Sequence, residues 1–310
     1  MQLDPQAQAI ADLLAQAPQP DLSTLSVADY RAGIAAFPVP PMEDDGLAAI
    51  EDDVLPGPGG PLPVRIFRPT GPTPMPITVF FHGGGFVSCG LDTHAALCSR
   101  LAALSGSIVI AVDYRLAPEH RFPAASGDAI AAVRLLHARA PSLGGDATQI
   151  AVAGDSAGAT LAAVVAHALR DDVNISLRHQ LLIYPVTDAA CDSASQHELS
   201  NAPVLNRALM QWFWRNYLPD GAAGNHPYAS PLRQTDLARL CPATVITAGV
   251  DPLRDEGEAY AQAMIRAGVS VTQQRWNGQF HGFASMLGSL DAAAEALAFA
   301  ALQLRNAFDG

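Results

Sequence analysis

From residue 64 onward, short runs of β-branched and aromatic residues alternate with longer stretches of helix formers, and that alternation leaves few folds open to the chain. Residues 64–67, 77–81, 108–112, 150–153, 181–184, 244–247 and 269–271 each read as a strand. Residues 127–140 and 157–170 read as helices between them. Several of these strands are apolar at every position instead of every second one. Such a strand has to be covered on both faces, which predicts a mostly parallel sheet between helical layers. With 310 residues, 49% of them hydrophobic, the chain is long enough for one such domain carrying a cap.

Two regions break the rhythm. Near the start, Leu3, Ala7, Ile10, Leu13 and Leu14 recur at helical spacing, and Pro18 and Pro20 end the run. A second helix is expected from Ser26, with Asp29 as its capping partner, and the proline-rich residues 38–41 mark a boundary. Later, residues 189–224 contain an aromatic helix at 210–217. The division expected is an N-terminal helical part of a cap at 1–45 and a main α/β body at 46–310, with the rest of the cap inserted at about 189–224.

The formal net charge of −12, with no cluster of lysine or arginine, argues against a nucleic-acid partner, since phosphate binding needs concentrated positive charge. Residues 1–17 have neither a basic leader nor a long apolar run, so no signal peptide or membrane span is expected. Cys89, Cys98, Cys191 and Cys241 have no zinc spacing and form no C-x-x-C pair; reduced thiols in a cytoplasmic protein are the expectation.

The strongest local signal is Gly154-Asp155-Ser156-Ala157-Gly158, a G-x-S-x-G set where a strand meets a helix. A serine there sits on a tight turn, and the helix N-terminus supplies partial positive charge where an oxyanion forms. No Walker lysine and no G-x-G-x-x-G is present to support a phosphate-binding turn instead. Directly after another strand comes His82-Gly83-Gly84-Gly85-Phe86. Three glycines leave the backbone free to turn amides inward, and acyl transfer needs such donors, with Ala157 as the usual partner. Chain order in such sites runs serine, acid, histidine. His281 lies late, between Gly278 and Gly282, after the 269–271 strand; Asp251 follows the 244–247 strand, and Asp255 is the runner-up acid, with helix capping as its blander role. In this reading Ser156 is the nucleophile, His281 its base and Asp251 the orienter of that base. Asp155 is expected to be structural.

Taken together, HGGGF (82–86), DYRLAPEHRFPAA (113–125), GDSAG (154–158), LLIYP (181–185), DPLRDEG (251–257) and HGF (281–283) closely resemble the bacterial hormone-sensitive-lipase family of α/β-hydrolases, and in particular its capped microbial carboxylesterases. The resemblance implies the α/β-hydrolase fold, a mostly parallel central sheet with helices on both faces and a helical cap. It implies a serine carboxylesterase, or lipase-like ester hydrolase, acting on short- to medium-chain acyl esters with neither metal nor organic cofactor. It implies the triad Ser156, Asp251 and His281, with an oxyanion hole of Ala157 and the loop glycines: Gly84 and Gly85 are favoured and Gly83 stays open. His82 is expected to orient that loop, while Asp113, Arg115 and Glu119 hold one another by ion pairing. A homodimer is compatible with it. The sequence departs from relatives at residues 275–280, so Trp276 and Phe280 are expected to reshape the pocket, whose further candidates are Phe86, Val87, Leu205 and Phe213. The same machinery serves amidases and acyltransferases. Plant hormone receptors of similar fold lack the catalytic histidine, whereas His281 is present here.

Overall fold

The computed structural model describes residues 2–17, 20–37 and 45–310. In chain order the elements are α1 (Pro5–Ala15), α2 (Val27–Ala36), β1 (Ala49–Gly57), β2 (Gly60–Arg68), β3 (Met75–Phe81), α3 (Ala95–Ser105) and β4 (Ile108–Val112). Then follow α4 (Ala124–Arg139), β5 (Gly145–Asp155), α5 (Ala157–Leu169), β6 (Leu177–Ile183), α6 (Ala194–Glu198) and α7 (Arg207–Tyr217). β7 (Ala243–Val250), α8 (Arg254–Arg266), β8 (Val271–Phe280) and α9 (Asp291–Asp309) complete the chain. Pro18 and residues 38–41, read above as breakers, lie outside the described residues. Among those described, no helix is long and apolar enough to cross a membrane.

The eight strands form one sheet in the order β1-β2-β4-β3-β5-β6-β7-β8. β1 and β2 pair antiparallel, as do β2 and β4, and every later pairing is parallel. Alternate strand residues enter opposite layers, as the period of two requires. Ile77, Val79, Phe81, Ile110, Val152 and Leu182 face the layer of α4, α5 and α8. Phe80, Val109, Ala153, Leu181 and Ile246 face α3 and α9. The continuous apolar runs are therefore two alternating faces, both buried.

Two strands escape the apolar signal. β1 is polar and edge-exposed, and β8 is an edge strand whose sequence, VTQQRWNGQF, carries few apolar residues. The short strand expected at 269–271 is in fact only the entry to β8, which runs on to Phe280. Its alternation corrects a second expectation. Trp276 and Phe280, four residues apart, share one face: Trp276 packs at 5.6 Å from the Phe299 ring of α9, and Phe280 is buried in the same layer. Both therefore pack on the α9 side of the sheet.

The N-terminal helices divide. α1 is capped by Asp4, whose amide donates to Gly278 O, and Ala7 is buried on the α9 side, while Leu13 of the same stripe is exposed. α2 is capped by Ser26, which accepts the Asp29 amide, and packs on the aromatic helix α7: Tyr30 meets Trp212 at 5.1 Å and Phe213 edge-on at 5.5 Å.

The expected mutual ion pairing within residues 113–119 is also corrected. Arg115 binds Asp128 of α4 through Nε and Nη2, both at 2.8 Å, and Glu119 pairs with Arg31 of α2. Asp113 lies 3.9 Å from His82 Nε2. Each of the three residues thus reaches a different part of the fold, and none pairs with another of the set. The Arg31 guanidinium holds Glu119 down to about 2. Asp128 is only 1% exposed, so Arg115→Met leaves a buried carboxylate unpaired. The expected loss is about 3 kcal/mol, measured by urea denaturation.

Candidate active site

The strand order creates the site. β3 is followed by β4 on one side and neighboured by β5 on the other, and this reversal opens a crevice at the carboxyl ends of the strands. Phe81, the last residue of β3, pairs with Gly154 of β5, so the glycine loop and the serine turn leave the sheet side by side. Val250 of β7 pairs with Phe280 of β8, so Asp251 and His281 do the same.

Ser156 stands between β5 and α5 at φ 53° and ψ −121°, with its amide donating to Ile183 O at 2.8 Å. A non-glycine residue at that φ is strained and persists only where its surroundings hold it. The flanking glycines are needed for the close approach: a Cβ on Gly158 would overlap the Phe81 carbonyl, and one on Gly154 would overlap Gly158.

His281 bridges the other two members. Its Nε2 is 2.9 Å from Ser156 Oγ and its Nδ1 is 2.8 Å from Asp251 Oδ2. A carboxylate oxygen only accepts, so the proton on Nδ1 points at Asp251 and Nε2 is left to accept from the serine. Asp251 is fully buried, and its Oδ1 accepts the Leu253 amide at 2.8 Å. The Tyr184 ring lies 4.7 Å from the imidazole and walls its other side. Asp255 is occupied elsewhere: Oδ2 accepts the Ser195 amide in α6, and Oδ1 accepts from Arg254 Nε.

In the glycine loop, Gly84 and Gly85 have positive φ, 111° and 62°, and Gly85 lies directly beneath the Phe213 ring, which a Cβ would overlap. Among the described residues, no partner is recorded for the amides of Gly84, Gly85 and Ala157. Gly83 differs. Its amide donates to Asp155 Oδ1 at 2.8 Å, so it is spent on holding the loop and is no free donor. Asp155 turns its side chain away from the triad toward that loop. His82 Nδ1 meets Gly83 O at 2.6 Å, and Tyr114 stacks on the imidazole at 4.3 Å. Burial, with His94 beside it, pushes His82 down to about 3, so it is neutral.

Of the four apolar pocket candidates, Phe213 covers Gly85, whereas Phe86 stacks on Tyr217 at 3.9 Å, and Val87 and Leu205 are buried in the same cluster. Sequence reasoning missed Val204. It is 42% exposed at φ 66°, and a side chain at Gly282 would meet it at 3.8 Å, beside the His281 turn. Nothing in its local sequence signals this.

A model of the alpha/beta hydrolase fold family matches residues 78–285. The esterase LipI of Mycobacterium tuberculosis is 40% identical over 265 residues, spanning 84% of this chain and 83% of the relative.

The chain belongs to the hormone-sensitive-lipase family of α/β-hydrolases.

This hydrolase is also 40% identical, over 243 residues, to an ethyl acetate hydrolase of Pseudomonas putida, with 77% of this chain and 76% of that one covered. Its structure is similar to that of a hyperthermophilic esterase from the archaeon Pyrobaculum calidifontis, with a TM-score of 0.91, 39% identity and 99% of each chain covered.

Beneath the acid, the hydrolase buries a second carboxyl. Glu256 is 2% exposed; its Oε1 accepts the amides of Thr187 and Asp188, and Gln196 Nε2 donates to its Oε2. Burial pushes it up to about 8. A folded-state value above the ordinary one means the folded chain binds the extra proton, so this contribution to stability is full below about pH 4.5 and lost as pH rises through 8. Glu256→Gln, which keeps the volume and removes the charge, is expected to flatten the decline in Tm between pH 5 and pH 8; parallel melts of both proteins check it.

Proposed function

We propose that this hydrolase is a carboxylesterase that cleaves short- to medium-chain acyl esters through an acyl-enzyme intermediate on Ser156. The observation that carries the reading is His281, within hydrogen-bond distance of both Ser156 Oγ and Asp251. The names of its relatives, which are esterases and ester hydrolases, support it.

In this mechanism Ser156 Oγ attacks the ester carbonyl while His281 Nε2 takes its proton. Asp251 stabilises the imidazolium and keeps the ring in register. The carbonyl oxygen becomes an oxyanion and receives the amides of Gly84, Gly85 and Ala157. Collapse of the tetrahedral intermediate expels the alkoxide, which His281 protonates. Water then attacks the acyl-enzyme by the same route in reverse, with His281 again as base.

α2 and residues 189–224 act as the cap, bringing Phe213 over the glycine loop with Tyr30 packed against it. The four cysteines stand as free thiols, in keeping with a cytoplasmic setting. A small ester is the partner proposed.

A panel of p-nitrophenyl esters from acetate to palmitate tests the substrate class. The highest kcat/KM is expected at or below octanoate, and a maximum at palmitate would refute the short-chain reading. Phe213→Leu, which shortens the side chain over Gly85, is expected to raise kcat/KM for octanoate relative to butyrate about tenfold.

A further inference from the structure

Behind the glycine loop lies a buried set of polar groups that the reaction itself does not touch. His94 is 5% exposed and directly precedes α3, far in sequence from the serine turn. Its Nε2 lies 3.1 Å from Asp155 Oδ1, the same oxygen that accepts the Gly83 amide at 2.8 Å. Its Nδ1 lies 2.9 Å from Thr93 Oγ1, and that hydroxyl is itself fixed by the Gly90 amide at 3.0 Å and the Gly90 carbonyl at 2.9 Å. Burial works against a charge on Asp155. The adjacent His94 and the bonds from His94 and Gly83 outweigh it and hold Asp155 below the usual carboxylate range. As a carboxylate Asp155 only accepts, so His94 Nε2 carries the proton.

The contacts form a chain from Thr93 through His94 and Asp155 to the Gly83 peptide. Gly83 also lies close against this chain: a Cβ there would overlap Asp155 Oδ2 at 2.5 Å, so no larger residue fits. The Gly83 peptide is joined to Gly84, whose amide and that of Gly85 are the proposed oxyanion donors. An oxyanion donor is effective only near its ideal position, and an error of about 1 Å in a reacting geometry costs on the order of a hundredfold.

We propose that His94 is a positioning residue for the oxyanion loop: through Asp155 it pins the Gly83 peptide, so that the Gly84 and Gly85 amides are aimed at the developing charge before substrate arrives. The proposal rests on the ester-hydrolysis reading. His94 touches neither substrate nor triad, so removing it should impair the transition state selectively and leave substrate binding alone.

The test is a kinetic and inhibitor series on the full chain. His94→Ala is expected to lower kcat for p-nitrophenyl butyrate about 10- to 100-fold with KM within twofold. Affinity for an alkyl trifluoromethyl ketone, whose adduct with the serine places an oxyanion in the hole, should fall by the same factor. His94→Gln, whose amide nitrogen reaches the place of Nε2, should restore most of both. Thr93→Val, a milder change that frees the imidazole, should lower kcat about threefold to tenfold and decides the matter if His94→Ala does not fold. A folded His94→Ala or Thr93→Val with kcat and inhibitor affinity within twofold of the parent overturns the proposal. So does an equal loss in kcat and in 1/KM, or a failure of His94→Gln to recover activity. A parent chain that does not turn over the ester would count against the ester reading instead, and the ketone affinities would still report on the loop.

Discussion

Ser156→Ala is expected to abolish measurable ester turnover, a loss of roughly 10⁴-fold or more in kcat, with no labelling by a fluorophosphonate and little change in Tm. The serine oxygen lies 2.9 Å from His281 Nε2, and alanine removes it while keeping the backbone that the turn needs. The small effect on stability follows from the same geometry. The strain at φ 53° is borne by the Ile183 bond and the two flanking glycines, none of which involves the hydroxyl. Residual turnover within tenfold of the parent, or labelling of the variant, would place the nucleophile elsewhere.

The second large effect separates two carboxylates that the sequence offered for one role. Asp251→Asn is expected to lower kcat about 10⁴-fold, because an amide facing Nδ1 favours the wrong imidazole tautomer and turns Nε2 into a donor toward the serine. Asp255→Asn is expected to change kcat by less than tenfold and to lower Tm instead. Its carboxylate anchors the Ser195 amide of α6 and the Arg254 guanidinium, and neither faces the triad. Steady-state kinetics and thermal melts of the pair check both halves. Equal losses of kcat in the two variants would show that the acid's role is not Asp251's alone.

The same contrast between what a residue is and where its neighbours lie explains which parts of the fold were legible beforehand. β3 to β7 were visible because both faces are buried, so the strands carry apolar runs that do not depend on their partners. β1 and β8 were hidden because edge strands pair on one side only and tolerate polar residues. Misreading β8 as a short strand also misplaced Trp276 and Phe280, since the face a residue occupies is set by its register in the strand. Arg115 and Glu119 were assigned to each other because they are close in sequence; their partners, Asp128 and Arg31, lie on two different helices.

For the site itself, the sequence alone determined the residue types and their order: a serine between glycines at a strand-to-helix turn, a glycine triplet after another strand, then an acid and a histidine. Those are local requirements of backbone geometry and chemistry, so they are written locally. Only the tertiary structure decided what each group faces. It set β3 beside β5 and β7 beside β8, and so brought the loop to the serine and the acid to the histidine. It also removed Gly83 from the donors by giving its amide to Asp155, and placed Phe213 over Gly85. The reason is physical: strand order and side-chain contacts between distant segments arise from burying both faces of one sheet at once, and no short stretch of sequence records that solution.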